Sequence, residues 1–215
     1  MTEHINDQTI KTYDAIASEY LARWHDRSPL EAQFKRFVSM LNVYSLNQLP
    51  ILDVGCGPGF DTAQFRSHSL DVIGVDLSWQ MLVTGKHNFP GEFVQADMRH
   101  LPFIETFGGL WVSASLLHIP SNEAAKTLTE LTRLLVPGGL LYLSVKEGIG
   151  ESWKTNPYNR PRFFSLWQPA TLNQMLEDVG LRIVDSWTGM GNEDAWLVRF
   201  ARKSIDPTHS IQLGP

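Results

Sequence analysis

The stretch ILDVGCGPGF at residues 51–60 places three glycines, at alternate positions, directly after a mainly apolar run. Such a run is typical of a parallel strand that is buried on both faces of its sheet. Glycines let a chain turn sharply and let a ligand lie against bare backbone. The stretch therefore predicts a central strand whose end carries a ligand-binding loop.

The alternation of strand and helix continues along the chain. Further strands are predicted at residues 71–76, 92–97, 107–115 and 138–146, and helices at residues 60–68, 78–88 and 121–136. Repeated βα units imply a doubly wound parallel sheet with right-handed crossovers. A helix at 169–180 and strands at 181–188 and 194–203 follow. Because Gly189, Gly191 and Asn192 lie between these two strands, we expect the sheet to end in an antiparallel pair.

Length and composition indicate a single domain. The chain has 215 residues, of which 43% are hydrophobic, and this is enough for one sizeable core. Within residues 1–203 we distinguish a helical segment at 1–47, the sheet core at 50–146, an irregular cap at 147–168, and a helix with a hairpin at 169–203. We expect residues 204–215, which are polar and contain glycine and proline, to form a flexible tail.

Charge and cysteine content exclude several classes of function. The net charge of -5 argues against a general affinity for nucleic acids, which requires Lys and Arg to neutralise phosphates. Cys56, the single cysteine, cannot form an internal disulfide and has no metal-ligand neighbours, and no oxygen cage is evident, so no metal is predicted. No segment has the pattern of a signal peptide or a membrane span, so we expect a soluble cytoplasmic protein.

The spacing of the glycines discriminates between nucleotide ligands. Dinucleotide-binding loops have the pattern G-x-G-x-x-G, and Phe60 occupies the position of the third glycine here. The observed pattern is G-x-G-x-G, preceded by Asp53. A carboxylate in this loop suits an ammonium group, such as that of S-adenosylmethionine, better than a pyrophosphate. Alternatively, Asp53 organises the loop by accepting backbone N–H bonds.

Two further acidic residues end the next two strands. Asp76 follows the second strand, where a carboxylate can accept hydrogen bonds from both hydroxyls of a ribose, in nicotinamide and adenosylmethionine sites alike. Asp97 follows the third strand, where an adenine amino group could donate to it. The three acids together predict a nucleoside-binding site at one edge of the sheet.

The segments ILDVGCGPGF, VIGVDLS, VQADMRHLPF and LTRLLVPGGLLYLSVK resemble the ordered motifs of the class I S-adenosylmethionine-dependent methyltransferases, especially the small-molecule subgroup with the type 11 or type 25 domain. The resemblance covers roughly Tyr13 to Lys146. It implies an α/β, Rossmann-like, seven-stranded and mostly parallel sheet with an antiparallel last strand, helices on both faces and an N-terminal helical lid. The implied activity is transfer of a methyl group from S-adenosyl-L-methionine to a nitrogen, oxygen or carbon atom of a small-molecule acceptor, by in-line displacement.

The resemblance also implies roles for individual residues. Gly55, Gly57 and Gly59 would approach the methionine portion, with Cys56 as a small loop residue between them, and Asp76 would hold the ribose. Asp97 would bond the adenine amino group and the Met98 backbone amide would meet the ring. Leu77 and Met81 would form apolar walls, and Ser115 would line the methionine end.

The lid and the cap supply the remaining candidates. Tyr13 and Tyr20 in YDAIASEY lie on one helical face and are either core aromatics or, as in similar methyltransferases, part of a lid over the cofactor. Arg23, near the same face, could pair with the cofactor carboxylate. Tyr13 is also a candidate for substrate contact. In the cap, the candidates for substrate contact are Tyr158, Arg162, Phe163 and Trp167, which could equally pack the segment onto the sheet.

His118 is the first candidate for a general base, because it follows the fourth strand and its ordinary pKa suits neutral pH. A loop histidine with local hydrogen bonds is the plainer alternative. Glu147 is a second candidate base. Three other functions stay open: a tRNA wobble-uridine methyltransferase, a nicotinamide oxidoreductase, and a non-catalytic S-adenosylmethionine-binding protein.

Overall fold

The computed structural model describes residues 2–191 and 194–205. Its main sheet has seven strands in the order β3-β2-β1-β4-β5-β9-β8. These strands are β1 (Ile51–Val54), β2 (Val72–Asp76), β3 (Glu92–Gln95), β4 (Phe107–Ser113), β5 (Leu135–Lys146), β8 (Leu181–Met190) and β9 (Ala195–Lys203). Strands β1 to β5 pair in parallel, whereas β9 is antiparallel to both β5 and β8. The predicted fold class is therefore confirmed.

Helices cover both faces of this sheet. They are α1 (Thr2–Arg23), α2 (Glu31–Val43), α3 (Phe60–Ser67), α4 (Trp79–Asn88), α5 (Ser121–Leu134) and α6 (Pro169–Asp178), with short 3-10 helices at Ser28–Leu30 and Leu116–His118. Leucines of α5 and α6 pack with one face of the central strands. Phenylalanines of α2 and α3 pack with Trp111 and Tyr142 on the other face. The apolar runs of the strands are continuous because each face has its own layer of helices.

The strand order reverses between β1 and β4, which both run parallel to each other. Ligands of doubly wound sheets bind at such a switch point, beyond the carboxyl ends of the strands. The glycine loop begins here, and Gly59, with a φ of +83°, starts α3 in the left-handed conformation that glycine tolerates. The fold thus brings the loop and the ends of β2, β3 and β4 to one edge.

The cap differs from the prediction of an irregular segment. It contains two antiparallel strands, β6 (Glu151–Lys154) and β7 (Arg162–Ser165), with Glu151 opposite Ser165 and Lys154 opposite Arg162. The abundant Gly, Pro and Asn of this segment are typical of turns, so the sequence does not indicate strands here. The two strands have only four residues each, and they pair with each other across the intervening loop.

The chain ends are described in part. Ser204 donates a backbone hydrogen bond to the carbonyl of Gly180. The rest of the predicted tail, from residue 206, and the predicted hairpin residue Asn192 lie outside the described residues. Within the described ranges, no helix is both long and apolar enough to span a membrane.

Candidate active site

A cleft opens at the carboxyl edge of the sheet, beneath α1. Its walls come from α1, the glycine loop, the ends of β2, β3 and β4, and the 3-10 helix after β4. The lining residues are Thr9, Ile10, Tyr13, Tyr20, Gly55, Gly57, Val75, Asp76, Leu77, Met81, Ala96, Asp97, Met98, Ser113, Ala114, Ser115, His118 and Ile119. Eleven of the predicted site residues are among them: Tyr13, Tyr20, Gly55, Gly57, Asp76, Leu77, Met81, Asp97, Met98, Ser115 and His118.

Hydrogen bonds to β2 fix the glycine loop. The amides of Gly55 and Cys56 donate to the carbonyl of Val75 at 2.8 and 2.9 Å, and the amide of Gly57 donates to Asp76 Oδ2 at 2.8 Å. A Cβ on Gly55 would lie 2.3 Å from the Cβ of Ser115, whereas a Cβ on Gly57 would meet only Tyr20, at 3.9 Å. Gly55 is therefore required by packing, and Gly57 presents bare backbone to open space.

The other loop residues lie outside the cleft lining. A Cβ on Gly59 would lie 2.6 Å from the ring of Phe93, so this glycine permits close packing of the loop on β3. The thiol of Cys56 points to the carbonyl of Gly57 at 3.5 Å, and burial raises its pKa well above the ordinary value. A protonated, buried thiol is a poor nucleophile, which agrees with a loop role for Cys56.

Asp53 lies under the loop and not in the cleft. The hydroxyl of Thr62, on α3, donates to Asp53 Oδ2 at 2.7 Å. Burial, together with the nearby charge of Asp61, raises the pKa of Asp53. The Asp53 side chain thus ties β1 to α3, and within the described residues no loop amide donates a hydrogen bond to it. The ammonium contact of Asp53 stays a prediction.

A buried ion pair next to Asp53 has no counterpart in the sequence prediction. Arg27, which follows α1, donates from Nε and Nη2 to the two oxygens of Asp61 at 2.8 and 2.6 Å. Trp111 Nε1 donates to Asp61 Oδ2 at 2.8 Å. This pair links the lid to the base of α3. Sequence reasoning missed it because its members are far apart in the chain.

Asp76 lies at the end of β2, where it faces both the loop and the cleft. Its Oδ2 accepts the Gly57 amide, and its Oδ1 accepts the Ser78 amide at 2.8 Å. Burial raises the pKa of Asp76, although these amide bonds lower it in part. Asp76 lines the cleft, and each of its carboxylate oxygens keeps a further lone pair, as the predicted ribose contact requires.

Asp97 follows β3 and is already bound by a neighbour. Arg99 forms a bidentate pair with it, with Nη2 at 2.6 Å from Asp97 Oδ2, and Arg99 Nη1 also donates to Glu123 at 2.8 Å. Burial alone would raise the pKa of Asp97, but the hydrogen bonds from Arg99 hold it below the ordinary value. The predicted adenine contact must therefore share this carboxylate with Arg99.

Apolar side chains and one serine complete this wall. Met81 is fully buried, and its amide donates to the hydroxyl of Ser78, the residue that caps α4. Leu77 and Met98 line the cleft beside it. Ser115 donates its hydroxyl to the Val54 carbonyl at 2.7 Å, so its side chain stabilises the end of β1.

His118 lies at the far end of the cleft, between two partners. Its Nδ1 is 2.6 Å from the Phe163 carbonyl and its Nε2 is 2.7 Å from the Tyr13 hydroxyl. A carbonyl can only accept, so Nδ1 carries the proton and the Tyr13 hydroxyl donates to Nε2. Burial, with the charges of Arg162 and Lys146, lowers the pKa of His118 to about 4. The histidine is therefore neutral near pH 7.

Helix α1 covers the cleft and is bonded on both sides. Asp14 accepts the Ser78 hydroxyl at 2.6 Å and the Gln80 amide at 3.1 Å, at the start of α4. On the cap side, Thr12 donates to the Pro161 carbonyl at 2.7 Å and Thr9 accepts the Phe163 amide at 3.1 Å. The lid is therefore closed in this structure.

Of the candidates on α1, Tyr13 and Tyr20 line the cleft, whereas Arg23 does not. Tyr13 and Tyr20 lie edge to face beneath the lid, 6.0 Å apart, and burial raises the pKa of Tyr13 to about 12 against the opposing charge of Arg162. Arg23 is exposed, with its guanidinium 5.9 Å from the ring centre of Trp24. The structure does not bring Arg23 to the cleft, because its helix position turns it to solvent.

The four cap candidates lie behind the cleft lining. Tyr158 stacks on Tyr20, with 6.3 Å between ring centres, and accepts a hydrogen bond from Trp24 Nε1. Phe163 and Trp167 are buried in packing, and the Phe163 carbonyl orients His118. Arg162 is also buried, next to Tyr13 and Tyr158. Glu147, the second candidate base, pairs with Trp167 in an isolated bridge.

The fold and the cleft together define an α/β protein of the doubly wound class with a cleft at the switch point of its sheet. No group of three or more His, Cys, Asp or Glu residues in the described part of the chain could hold a metal ion.

Comparison with known proteins shows that this chain is similar to methyltransferases. Residues 51–139 match the family model of the methyltransferase domain. A demethylmenaquinone methyltransferase from Renibacterium salmoninarum is 34% identical over 96 residues, which are 44% of this chain and 40% of the relative. A tRNA (carboxymethyluridine(34)-5-O)-methyltransferase from Arabidopsis thaliana is 27% identical over 191 residues, which are 86% of this chain and 42% of the relative.

A solved structure extends the likeness to the whole fold. A 1,6-didemethyltoxoflavin-N1-methyltransferase from Burkholderia thailandensis, crystallised with its substrate and S-adenosylhomocysteine, superposes with a TM-score of 0.76 at 21% identity, over 95% of this chain and 91% of that chain. The chain spans 40% and 39% of the length of two curated relatives that it matches. Residues 51–139 therefore carry a methyltransferase domain, and the resemblance to the class I S-adenosylmethionine-dependent methyltransferases that was inferred from the motifs is confirmed.

Proposed function

We propose that this protein is an enzyme that transfers a methyl group from S-adenosyl-L-methionine to a nitrogen, oxygen or carbon atom of a small-molecule acceptor. The observation that carries the proposal is the contact of the Gly57 amide with Asp76, 2.8 Å apart, at the open side of the loop. In doubly wound folds, a carboxylate at the end of a strand binds the ribose hydroxyls of a nucleoside. The amino-acid portion of the cofactor can lie against the bare backbone of the glycine loop beside it. A cytoplasmic location stays a prediction.

The residues of the cleft fit this cofactor. The space in front of Gly57 is open, and Asp76 keeps lone pairs for two ribose hydroxyls. Leu77, Met81 and Met98 offer apolar surface to a purine. Because Arg99 already holds the Asp97 carboxylate, we expect adenine recognition to depend more on the Met98 backbone than on Asp97.

Methyl transfer from a sulfonium does not require a nucleophilic side chain in the protein. When bound, the cofactor supplies a methyl group on a sulfonium, an electrophile that needs no nucleophilic residue. The protein has to align the acceptor and exclude water, and positioning of this kind contributes roughly 7–11 kcal/mol. We assign these tasks to the closed lid, with Tyr13 and Tyr20 on its inner side.

His118 is the proposed acceptor of the substrate proton. Its neutral form leaves the lone pair of Nε2 available as a base once the Tyr13 hydroxyl gives up its 2.7 Å hydrogen bond. The Phe163 carbonyl keeps the proton on Nδ1 and so fixes the reactive tautomer. Substrate binding next to Tyr13 would thus be coupled to release of the base.

Calorimetric titration with S-adenosylmethionine, S-adenosylhomocysteine and NAD tests the proposal. We expect the two adenosyl ligands to bind and NAD not to bind. Asp76→Ala should weaken binding by at least about tenfold, because it removes both ribose contacts. The matched control is Asp71→Ala, since Asp71 is exposed at the opposite end of the same strand.

Tight binding of NAD, or binding of no ligand by a folded protein, would contradict the proposal. The first result would revive the oxidoreductase alternative. Binding of the adenosyl ligands with no transfer to any acceptor tested would favour the non-catalytic alternative.

Methylation of tRNA is the second candidate. The observation in its favour is that the similarity to the Arabidopsis tRNA methyltransferase covers 86% of this chain. The net charge of -5 counts against it. Retention of tRNA at low salt, followed by transfer of labelled methyl groups to it, would favour this candidate over the small-molecule one.

A further inference from the structure

Arg162 differs from the other cations near the cleft in having no acidic partner. The residue is only 8% exposed, and no carboxylate of the described residues forms an ion pair with it. Lys146 and Lys154 lie nearby and both bind Asp194, at 2.5 and 2.9 Å. A buried charge without a counterion is costly, so its presence requires an explanation.

The contacts of Arg162 compensate this cost only in part. Its Nη2 donates to the Asn156 carbonyl, and the guanidinium carbon lies 4.9 Å from the ring centre of Tyr158 and 5.4 Å from that of Phe164. Aromatic faces attract a cation but do not accept its N–H groups as a carboxylate does. The buried Nε has no hydrogen-bond partner within the described ranges. The Arg162 side chain is therefore held in position, but its positive charge has no counterion among the described residues.

Arg162 lies behind the part of the cleft wall that Tyr13 forms, and it would be reached by a ligand only when Tyr13 moves. Its guanidinium carbon lies 6.0 Å from the ring centre of Tyr13, and the Tyr13 hydroxyl bonds His118. Tyr20, which faces Gly57, is two helical turns further along α1, and its ring centre is 6.0 Å from that of Tyr13. The two lid tyrosines thus lie between Arg162 and the glycine loop, where the amino-acid portion of the cofactor would bind.

The strand pairing adds a second positive charge to this region. Lys154 is directly opposite Arg162 on β6, and it shares the carboxylate of Asp194 with Lys146. The two lysines and Arg162 therefore carry more positive charge than Asp194 offsets, and like charges in this position repel. An incoming anion would relieve the repulsion and satisfy Nε at the same time. A planar carboxylate is the ligand that a guanidinium fork binds most favourably.

We propose that Arg162 binds a carboxylate of the methyl acceptor, so that the substrate of this enzyme is a small organic acid. This inference rests on the proposed function. The carboxylate would orient the acceptor against Tyr13 and His118, and the lid would close over both. An uncharged analogue would leave the Arg162 donors unpaired and would bind weakly.

The test uses protein saturated with S-adenosylhomocysteine and three carboxylates, benzoate, phenylacetate and succinate, each paired with its primary amide. Calorimetry should show at least one carboxylate binding the wild type about tenfold or more tightly than its amide. Arg162→Gln should abolish that preference, and Arg162→Lys should keep part of it. Arg160→Gln, which removes an exposed arginine of the same segment, should leave it unchanged.

Two results would overturn the inference. One is a wild type that binds no carboxylate more tightly than its amide, a comparison that needs no variant. The other is an Arg162→Gln protein that loses affinity for S-adenosylhomocysteine but not for 5′-methylthioadenosine, since the arginine would then hold the cofactor's own carboxylate. If Arg162→Gln does not fold, Arg162→Met replaces it, because its unbranched chain can pack between Tyr158 and Phe164.

The proposed function can fail separately. If the wild type does not bind S-adenosylhomocysteine at all, the proposed function is wrong. If it binds S-adenosylhomocysteine and shows no carboxylate preference, only the role of Arg162 is wrong.

Discussion

The sheet edge of the cleft is formed largely by backbone, whereas the lid and cap that face it are formed by side chains from distant parts of the chain. At the sheet edge, loop amides bond the Val75 carbonyl and Asp76, all within one βαβ unit. On the opposite side, His118 bonds Tyr13 and Phe163, which are 105 and 45 residues away in sequence.

This difference separates two tasks. The backbone edge has little freedom to vary, and it suits a cofactor of constant shape. The facing side can change by substitution of single side chains, and it suits recognition of an acceptor. We therefore expect substitutions at the sheet edge to affect cofactor binding and stability together, and those in the lid and cap to affect acceptor binding or kinetics.

The largest effect is expected for Gly55→Ala. The residue has a φ of +70°, and the new Cβ would lie 2.3 Å from the Cβ of Ser115, an atom fixed by the backbone. Backbone strain and overpacking together should lower the free energy of unfolding by about 3 kcal/mol. Urea denaturation would measure the loss, and affinity for S-adenosylhomocysteine should fall with it.

Gly57→Ala is the matched control for this change. Its φ of +55° imposes similar backbone strain, but the new Cβ meets nothing closer than Tyr20 at 3.9 Å. A loss of about 1 kcal/mol is expected. Equal losses in the two variants would show that packing against Ser115 does not constrain the loop.

The next effect concerns His118 and pH. Its pKa is about 4 in the folded protein against an ordinary value of 6.5, so the unfolded chain binds the proton more readily between these values. The stabilising contribution is fully present above pH 6.5 and decreases as the pH falls toward 4. Between pH 7 and pH 5 it should decrease by about 2 kcal/mol.

Comparison of the wild type with His118→Gln measures this contribution. The difference in free energy of unfolding between pH 7 and pH 5 should be about 2 kcal/mol smaller in the variant, since glutamine does not titrate. Turnover should fall in the variant while cofactor binding persists. A parallel pH dependence in both proteins would mean that His118 is exposed enough to titrate normally.

The smallest effect is expected for the lid. Asp14→Ala removes the hydrogen bonds to Ser78 and Gln80, which connect α1 to the start of α4. Loss of about 1 kcal/mol of closing free energy should raise the dissociation rate of S-adenosylhomocysteine about fivefold, as stopped-flow fluorescence would record. Asp7→Ala, an exposed position on the same helix, serves as the control. An unchanged rate would mean that the lid does not limit release.

Much of the sheet edge could be predicted from the sequence because the relevant contacts are local. The glycine loop contacts Asp76, at the end of β2, and the strands, loop and helix that bring them together follow one another in the chain. All seven predicted strands of the main sheet are present, since continuous apolar runs between turn residues have few alternatives. Asp97 shows the limit of such reasoning, because the spacing does not indicate that Arg99, two residues later, binds the carboxylate that adenine would have to share.

The lid and cap could be predicted only as a set of candidates. Tyr13, His118 and Arg162 have side chains that could bind a ligand or transfer a proton, but from the sequence each could equally be a packing residue. Nothing in the spacing predicts that the Phe163 carbonyl fixes the tautomer of His118, or that Lys154 lies opposite Arg162. Arg23 and Arg162 look alike as sequence candidates, yet one is exposed and the other is buried.

The sequence by itself determined the fold class and the resemblance to methyltransferases, and it predicted the edge of the sheet at which the cleft lies, because periodicity and loop spacing act over short stretches of chain. Only the tertiary structure decided the protonation of His118, the burial of Arg162 and the closure of α1. These properties depend on the local dielectric and on partners supplied by distant segments, and both come into existence only when the chain has folded.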